Sequence, residues 1–227
     1  MTVVKPLLAA CLCVWIAGVP AAHAQEARRL YAGTILGVST LSADGRSVIT
    51  PESARVSLYK PENGLAVNAF VGLHLHRYFS VQANYMWNRN DLTLVSSVTS
   101  PSGGAFYEQG RSSAQHAFVA DTLLYFRSLG SAVRPYLSTG LSVTRFATDP
   151  SGRSVAHGAT PPQGTLASTR IGLRSAVGID LAMRDGWSFR YSFSETISRN
   201  PISPHLSPRG ERRLANFQNL FGIVRRF

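Results

Sequence analysis

Eight runs of the chain place apolar residues at every second position, the spacing that puts them on one face of a β-strand. They span 29–39, 64–75, 79–88, 115–126, 134–146, 169–183, 187–198 and 213–227. The third is the cleanest: Phe79, Val81, Ala83, Tyr85 and Trp87 oppose Ser80, Gln82, Asn84, Met86 and Asn88. In the sixth, Ile171, Leu173, Ser175, Val177 and Ile179 oppose Gly172, Arg174, Ala176, Gly178 and Asp180, and in the last, Phe227, Arg225, Ile223, Phe221 and Phe217 share a face. Pro135 stands at the start of its run, where a missing ladder donor is tolerated.

The connections alternate in length. Short turns surround Arg77, the segment Arg127 to Val133, and Asp185-Gly186, whereas connections of about 24, 26, 22 and 14 residues, rich in Ser, Gly and Pro, join the other pairs. Loops so long count against a compact soluble domain, but short inner turns, long outer loops and an even strand number are the habit of membrane-spanning barrels. Runs of about ten residues suffice to cross a bilayer when tilted, and closure satisfies every backbone group where water is absent. The expected fold is all-β, an eight-stranded antiparallel transmembrane up-and-down β-barrel, with apolar faces in lipid and a narrow interior filled by side chains. A lipocalin-like barrel, with the apolar set turned inward, is the competing arrangement. Aromatic girdles are expected from Phe79, Phe126, Trp187 and Phe227 below and from Tyr85, Trp87, Phe146 and Phe193 above.

The first 24 residues change the picture by adding export. Lys5, an apolar run from Leu7 to Val19 and Ala22-His23-Ala24 form a secretory signal pattern. Leu8-Ala9-Ala10-Cys11 is a rival lipoprotein site with a very short apolar stretch. Residues 1–24 are therefore expected to be cleaved, leaving 25–227 as one barrel domain. Cys11 and Cys13 both fall in the leader, which removes disulfide, thiol and cysteine-metal chemistry from the mature chain. The net charge is +11, carried almost wholly by arginine. Such a balance favours anionic partners; for an exported chain these are outer-membrane lipid and lipopolysaccharide rather than nucleic acid.

The segments Arg134-Pro135-Tyr136-Leu137, Gly178-Ile179-Asp180, Asp185-Gly186-Trp187-Ser188-Phe189-Arg190-Tyr191 and Asn216-Phe217 through Phe227 resemble the outer-membrane β-barrel domain family of small porin-like and OmpA-transmembrane-domain-like proteins. The resemblance implies a bacterial outer-membrane location. It also implies an assembly signal in Phe227, Ile223, Phe221 and Phe217, read by the barrel-assembly machinery, with Arg225 departing from the usual apolar residue.

Within such a barrel, Asp121, Arg174, Asp180 and Arg190 fall on the enclosed face and are expected to form a polar network, while Arg145 and Arg170 are candidates for lipid A phosphate contacts. A lipid A deacylase of this architecture needs a His-x-Ser pair, and Arg190-Tyr191-Ser192-Phe193-Ser194-Glu195 lacks the histidine that would accept the serine proton. His74 and His76 share a face at strand spacing but lack a third metal ligand. No cofactor is implied. The expected function is non-enzymatic: a structural or surface-interaction protein whose long loops meet an unnamed extracellular partner. The alternatives are a narrow solute channel along Asn68, Ser80, Gln82, Ser138 and Ser188, and a lipid A-modifying hydrolase.

Overall fold

The computed structural model describes residues 29–60, 62–205 and 213–227; the expected leader lies outside the described residues. The strands are β1 (Leu30–Thr50), β2 (Ser53–Lys60), β3 (Asn63–His76), β4 (Phe79–Ser100), β5 (Gly103–Tyr125), β6 (Val133–His157), β7 (Leu166–Ala182), β8 (Trp187–Arg199) and β9 (Arg213–Arg226). A 3-10 turn, Ser203–His205, lies between the last two.

Each strand from β3 to β9 pairs antiparallel with the next, and β1 pairs with β3 on one side and β9 on the other, so the sheet returns on itself. The closing ladder runs from Tyr31↔Arg226 to Ser42↔Ala215. β2 lies between β1 and β4 in the same column as β3, which makes the two segments consecutive parts of one barrel strand. The architecture is an eight-stranded up-and-down barrel. In the turn between β7 and β8, φ is 57° at Asp185 and 80° at Gly186, positive values at both central residues as in a type I′ turn.

The period-two pattern separates the two sides as chemistry demands in lipid. Val71, Phe118, Leu141, Ile171 and Phe221 lie on the outside, all at least half exposed, whereas Asn68, Asn84, Asp121, Arg174 and Arg190 are enclosed. Inward glycines make room for rings: the Tyr31 side chain lies over Gly72 and Tyr136 over Gly178.

Three sequence expectations need correction. The long connections are largely strand: β1 and β2, β4 and β5, and β5 and β6 continue pairing beyond the membrane-spanning registers, as in Ile49↔Ala54, Thr99↔Gly104 and Tyr107↔Ala156. Their Ser, Gly and Thr residues suppressed the apolar signal, but each extension has a strand partner on at least one side to take its backbone groups. Phe146 does not join a girdle; it has the parity of Ser142 and Thr144 and is 2% exposed inside the barrel. His74 and His76 are separated by an irregularity in register, leaving His74 buried and His76 exposed.

Above the membrane registers the pattern inverts. Leu41, Ala43, Leu92, Leu94, Tyr107, Phe146 and Leu214 point inward and cluster, while outward neighbours such as Asp91 and Asp149 are exposed. Water now surrounds the outer wall, so the hydrophobic effect drives apolar side chains to the interior.

Candidate functional site

The enclosed space has three layers. The inner layer, near the short turns and the carboxyl end, is ionic. Asp180 and Arg190 are cross-strand neighbours on β7 and β8. Arg190 donates from Nε to Asp180 Oδ1 at 2.6 Å and from Nη2 to Oδ2 at 2.7 Å, a bidentate pair. Its Nη1 reaches Gln82 Oε1 at 2.8 Å, and Tyr125 donates to Asp180 Oδ2 at 3.1 Å. The guanidinium carbon lies 4.8 Å from the Phe70 ring centre and 5.0 Å from that of Tyr136. Arg174 forms a second enclosed pair with Asp121, which also accepts from Asn84 Nδ2 at 3.2 Å. The four residues expected to form an interior network thus make two pairs, linked through Gln82 Nε2, which donates to Asn84 Oδ1 at 2.6 Å.

The middle layer is neutral and amide-rich. Asn216 Nδ2 reaches Asn88 Oδ1 and Gln115 Oε1, and Ser39 donates to Asn216 Oδ1 at 2.9 Å. A cavity here of about 20 Å³, lined in part by Met86, Asn88, Gln115 and Asn216, has room for about one water. The large hollows, about 670 and 570 Å³, lie on the outward wall among Val81, Ala83 and Ala120 and among Leu137, Thr139 and Val177.

The outer layer is the inverted apolar cluster. Ile202, from the segment after β8, inserts into it at 1% exposure. Across the mouth, the fully buried Arg111 guanidinium donates to the backbone carbonyls of Thr148 at 2.8 Å, Pro162 at 3.1 Å and Gly164 at 2.6 Å. One side chain thereby pins the 158–165 segment over the opening. The interior place of Arg111 follows from sharing parity with Ser113 and Gln115.

The proposed lipid A pair is divided. Arg145 is on the outer wall beside His116, whereas Arg170 pairs in register with buried Thr144 and takes the inward parity. Ser192 and Ser194 also face inward, opposite to the outward parity of Glu195. Among the described residues, no three His, Cys, Asp or Glu side chains gather as a metal site. Phe227, Ile223 and Phe221 are on the exposed outer face, and Phe217 stacks on Phe193 with ring centres 6.3 Å apart. Arg134, Tyr125 and Gln82 complete the inner layer; their parity was legible, their partners were not. Ile202 lies in an irregular segment with no periodic signal.

The crystal structure of Neisserial surface protein A (NspA) overlays with a TM-score of 0.54 at 14% identity, covering 87% of this chain and 97% of that one. OprG from Pseudomonas aeruginosa gives 0.49 at 12% identity over 88% and 96%, and Ail of Yersinia pestis gives 0.46 at 10% over 88% and 99%. No curated protein sequence matches. The family model described as the outer membrane protein beta-barrel domain matches residues 9–217, and the chain accordingly belongs to that family, a β-barrel of the bacterial outer membrane.

Proposed function

We propose that the chain is a non-enzymatic barrel with a sealed interior, whose role is structural and surface-facing. The observation that carries this reading is closure at two levels: the Arg190–Asp180 layer within the membrane and the apolar plug with the Arg111 clasp above it. A protein built to pass solutes would keep the same polar parity throughout its height. Here the upper interior is packed with Leu92, Leu94, Phe146 and Ile202. The strand extensions hold apolar side chains out in water on a rigid ladder, notably Ile49 at 79% and Val155 at 61% exposure. Rigid presentation lowers the entropy lost on binding, which fits contact with an extracellular partner. Arg145 supplies a lipid A phosphate contact at the outer boundary, and Phe227 is the residue read by the assembly machinery.

Site-specific photo-crosslinking at Ile49 and Val155 on intact cells tests the surface role, with mass spectrometry of lipid A run in parallel. The reading expects cross-links at these two positions, none at a control on the outer wall such as Leu141, and lipid A unchanged by expression of the protein. Protein-dependent loss of an acyl chain would overturn it in favour of a hydrolase.

A further inference from the structure

The inner layer holds more positive than negative charge. Among the described residues its lumenal face carries Arg134, Arg174, Arg190 and Arg226 against two carboxylates, Asp121 and Asp180. Asp121 is engaged by Arg174. Asp180 is flanked in register by both Arg134 and Arg190, yet both its oxygens go to Arg190 and Tyr125. Arg134 is left 4% exposed, its guanidinium stacked 3.8 Å above the Tyr125 ring centre, with Nε and Nη2 lacking any acceptor. Arg226 adds to the imbalance. Its Nη1 donates to Leu129 O at 2.9 Å, in the turn that leads into β6 and Arg134, and its Nε has no acceptor.

A guanidinium does not shed its proton to escape such a place, and an enclosed unpaired charge is expensive. Its planar fork of donors matches a carboxylate or phosphate. We propose that the inner mouth of the barrel is a binding site for a small free oxyanion of the phosphate or carboxylate class, held between Arg134 and Arg226, with the Tyr125 ring backing the Arg134 guanidinium. The anion reaches the site from the periplasmic side, where Arg226 is half-buried at the end of β9.

The test uses the full chain refolded in a neutral, phosphate-free detergent, so that no lipid headgroup competes. Inorganic phosphate is titrated against sodium chloride at equal ionic strength, and the melting temperature is read from loss of the fast-migrating folded band. The site predicts a saturable rise of roughly 5 °C at a hundredfold excess over the midpoint. Arg134→Met should abolish the rise while melting no lower than wild type in chloride, and Arg226→Gln should move the midpoint to higher phosphate. Equal effects of phosphate and chloride, or an undiminished rise in Arg134→Met, would overturn the proposal. If Arg134→Met does not fold, the wild-type protein decides by ³¹P line width: broadening beyond a detergent control that sulfate reverses supports the site, and its absence overturns it. A headgroup-only site would show no effect of free phosphate and would count against the proposal.

Discussion

Replacing Asp180 should harm the barrel more than replacing its partner Arg190, although the two form one ion pair. The pair is 2% and 7% exposed at its side chains, with Nε–Oδ1 at 2.6 Å. Opposite charges about 4 Å apart attract by ~4 kcal/mol at an effective dielectric near 20, and removing one member of an enclosed pair costs about 3–5 kcal/mol because the other is stranded. The surroundings make the two cases unequal. In Arg190→Met, Asp180 still has Arg134 beside it in register and the Tyr125 hydroxyl at 3.1 Å, so the loss should fall at or below the lower end of that range. In Asp180→Asn, Arg190 and Arg134 both lose the carboxylate that flanks them in register, and the loss should reach the upper end. The double variant should recover part of the deficit, because no new charge is stranded by the second change. Urea unfolding of the refolded chain in neutral vesicles, followed by outward-facing Trp87 and Trp187 and by gel migration, measures all three. Equal losses for the two single variants, or additivity in the double, would refute the reasoning that Arg134 stands ready as a second partner.

Other consequences follow from single contacts. Arg111→Met should unpin the 158–165 segment, since the Pro162 and Gly164 carbonyls both lose their donor. Protease added to intact cells should then cut there at least tenfold faster, with the folded gel band intact. Gly178→Val should depress the folded fraction, because a side chain there collides with the Tyr136 ring and the Tyr191 carbonyl, and overpacking costs about 1–3 kcal/mol; refolding yield in detergent measures it. Glu195 lies on the outward parity between Phe193 and Ile197 and opposite Phe217, so Glu195→Leu should stabilise the barrel in lipid vesicles by about 1 kcal/mol, a carboxylate on the lipid face being unfavourable. The gain should vanish in short-chain detergent that lets water reach the side chain.

The membrane-spanning registers were legible because alternation, turn residues and strand length all follow from one requirement, that backbone groups pair and apolar side chains meet hydrocarbon. Asp121, Arg174, Asp180 and Arg190 could be assigned to the interior by parity alone. Which carboxylate met which cation could not, since that depends on register across three strands and on Tyr125 and Gln82 approaching from β5 and β4. Reading failed where the solvent changes. Above the lipid the same parity carries Leu92, Leu94 and Phe146 inward, so Phe146 was misread as a girdle residue. The polar stretches around Ser96 and Ser154 resembled loops because neither face there is uniformly apolar; only the neighbouring strand reveals them as ladder. Ile202 had no pattern to announce it, being placed by the three-dimensional need to fill the mouth.

Sealing of the interior is tested most directly by recording current through the refolded chain in a planar bilayer. The account predicts no steady conductance above the lipid baseline, because a cavity of about 20 Å³ and an apolar plug interrupt any wet path. Reproducible ohmic steps of uniform size from the wild-type protein would contradict it.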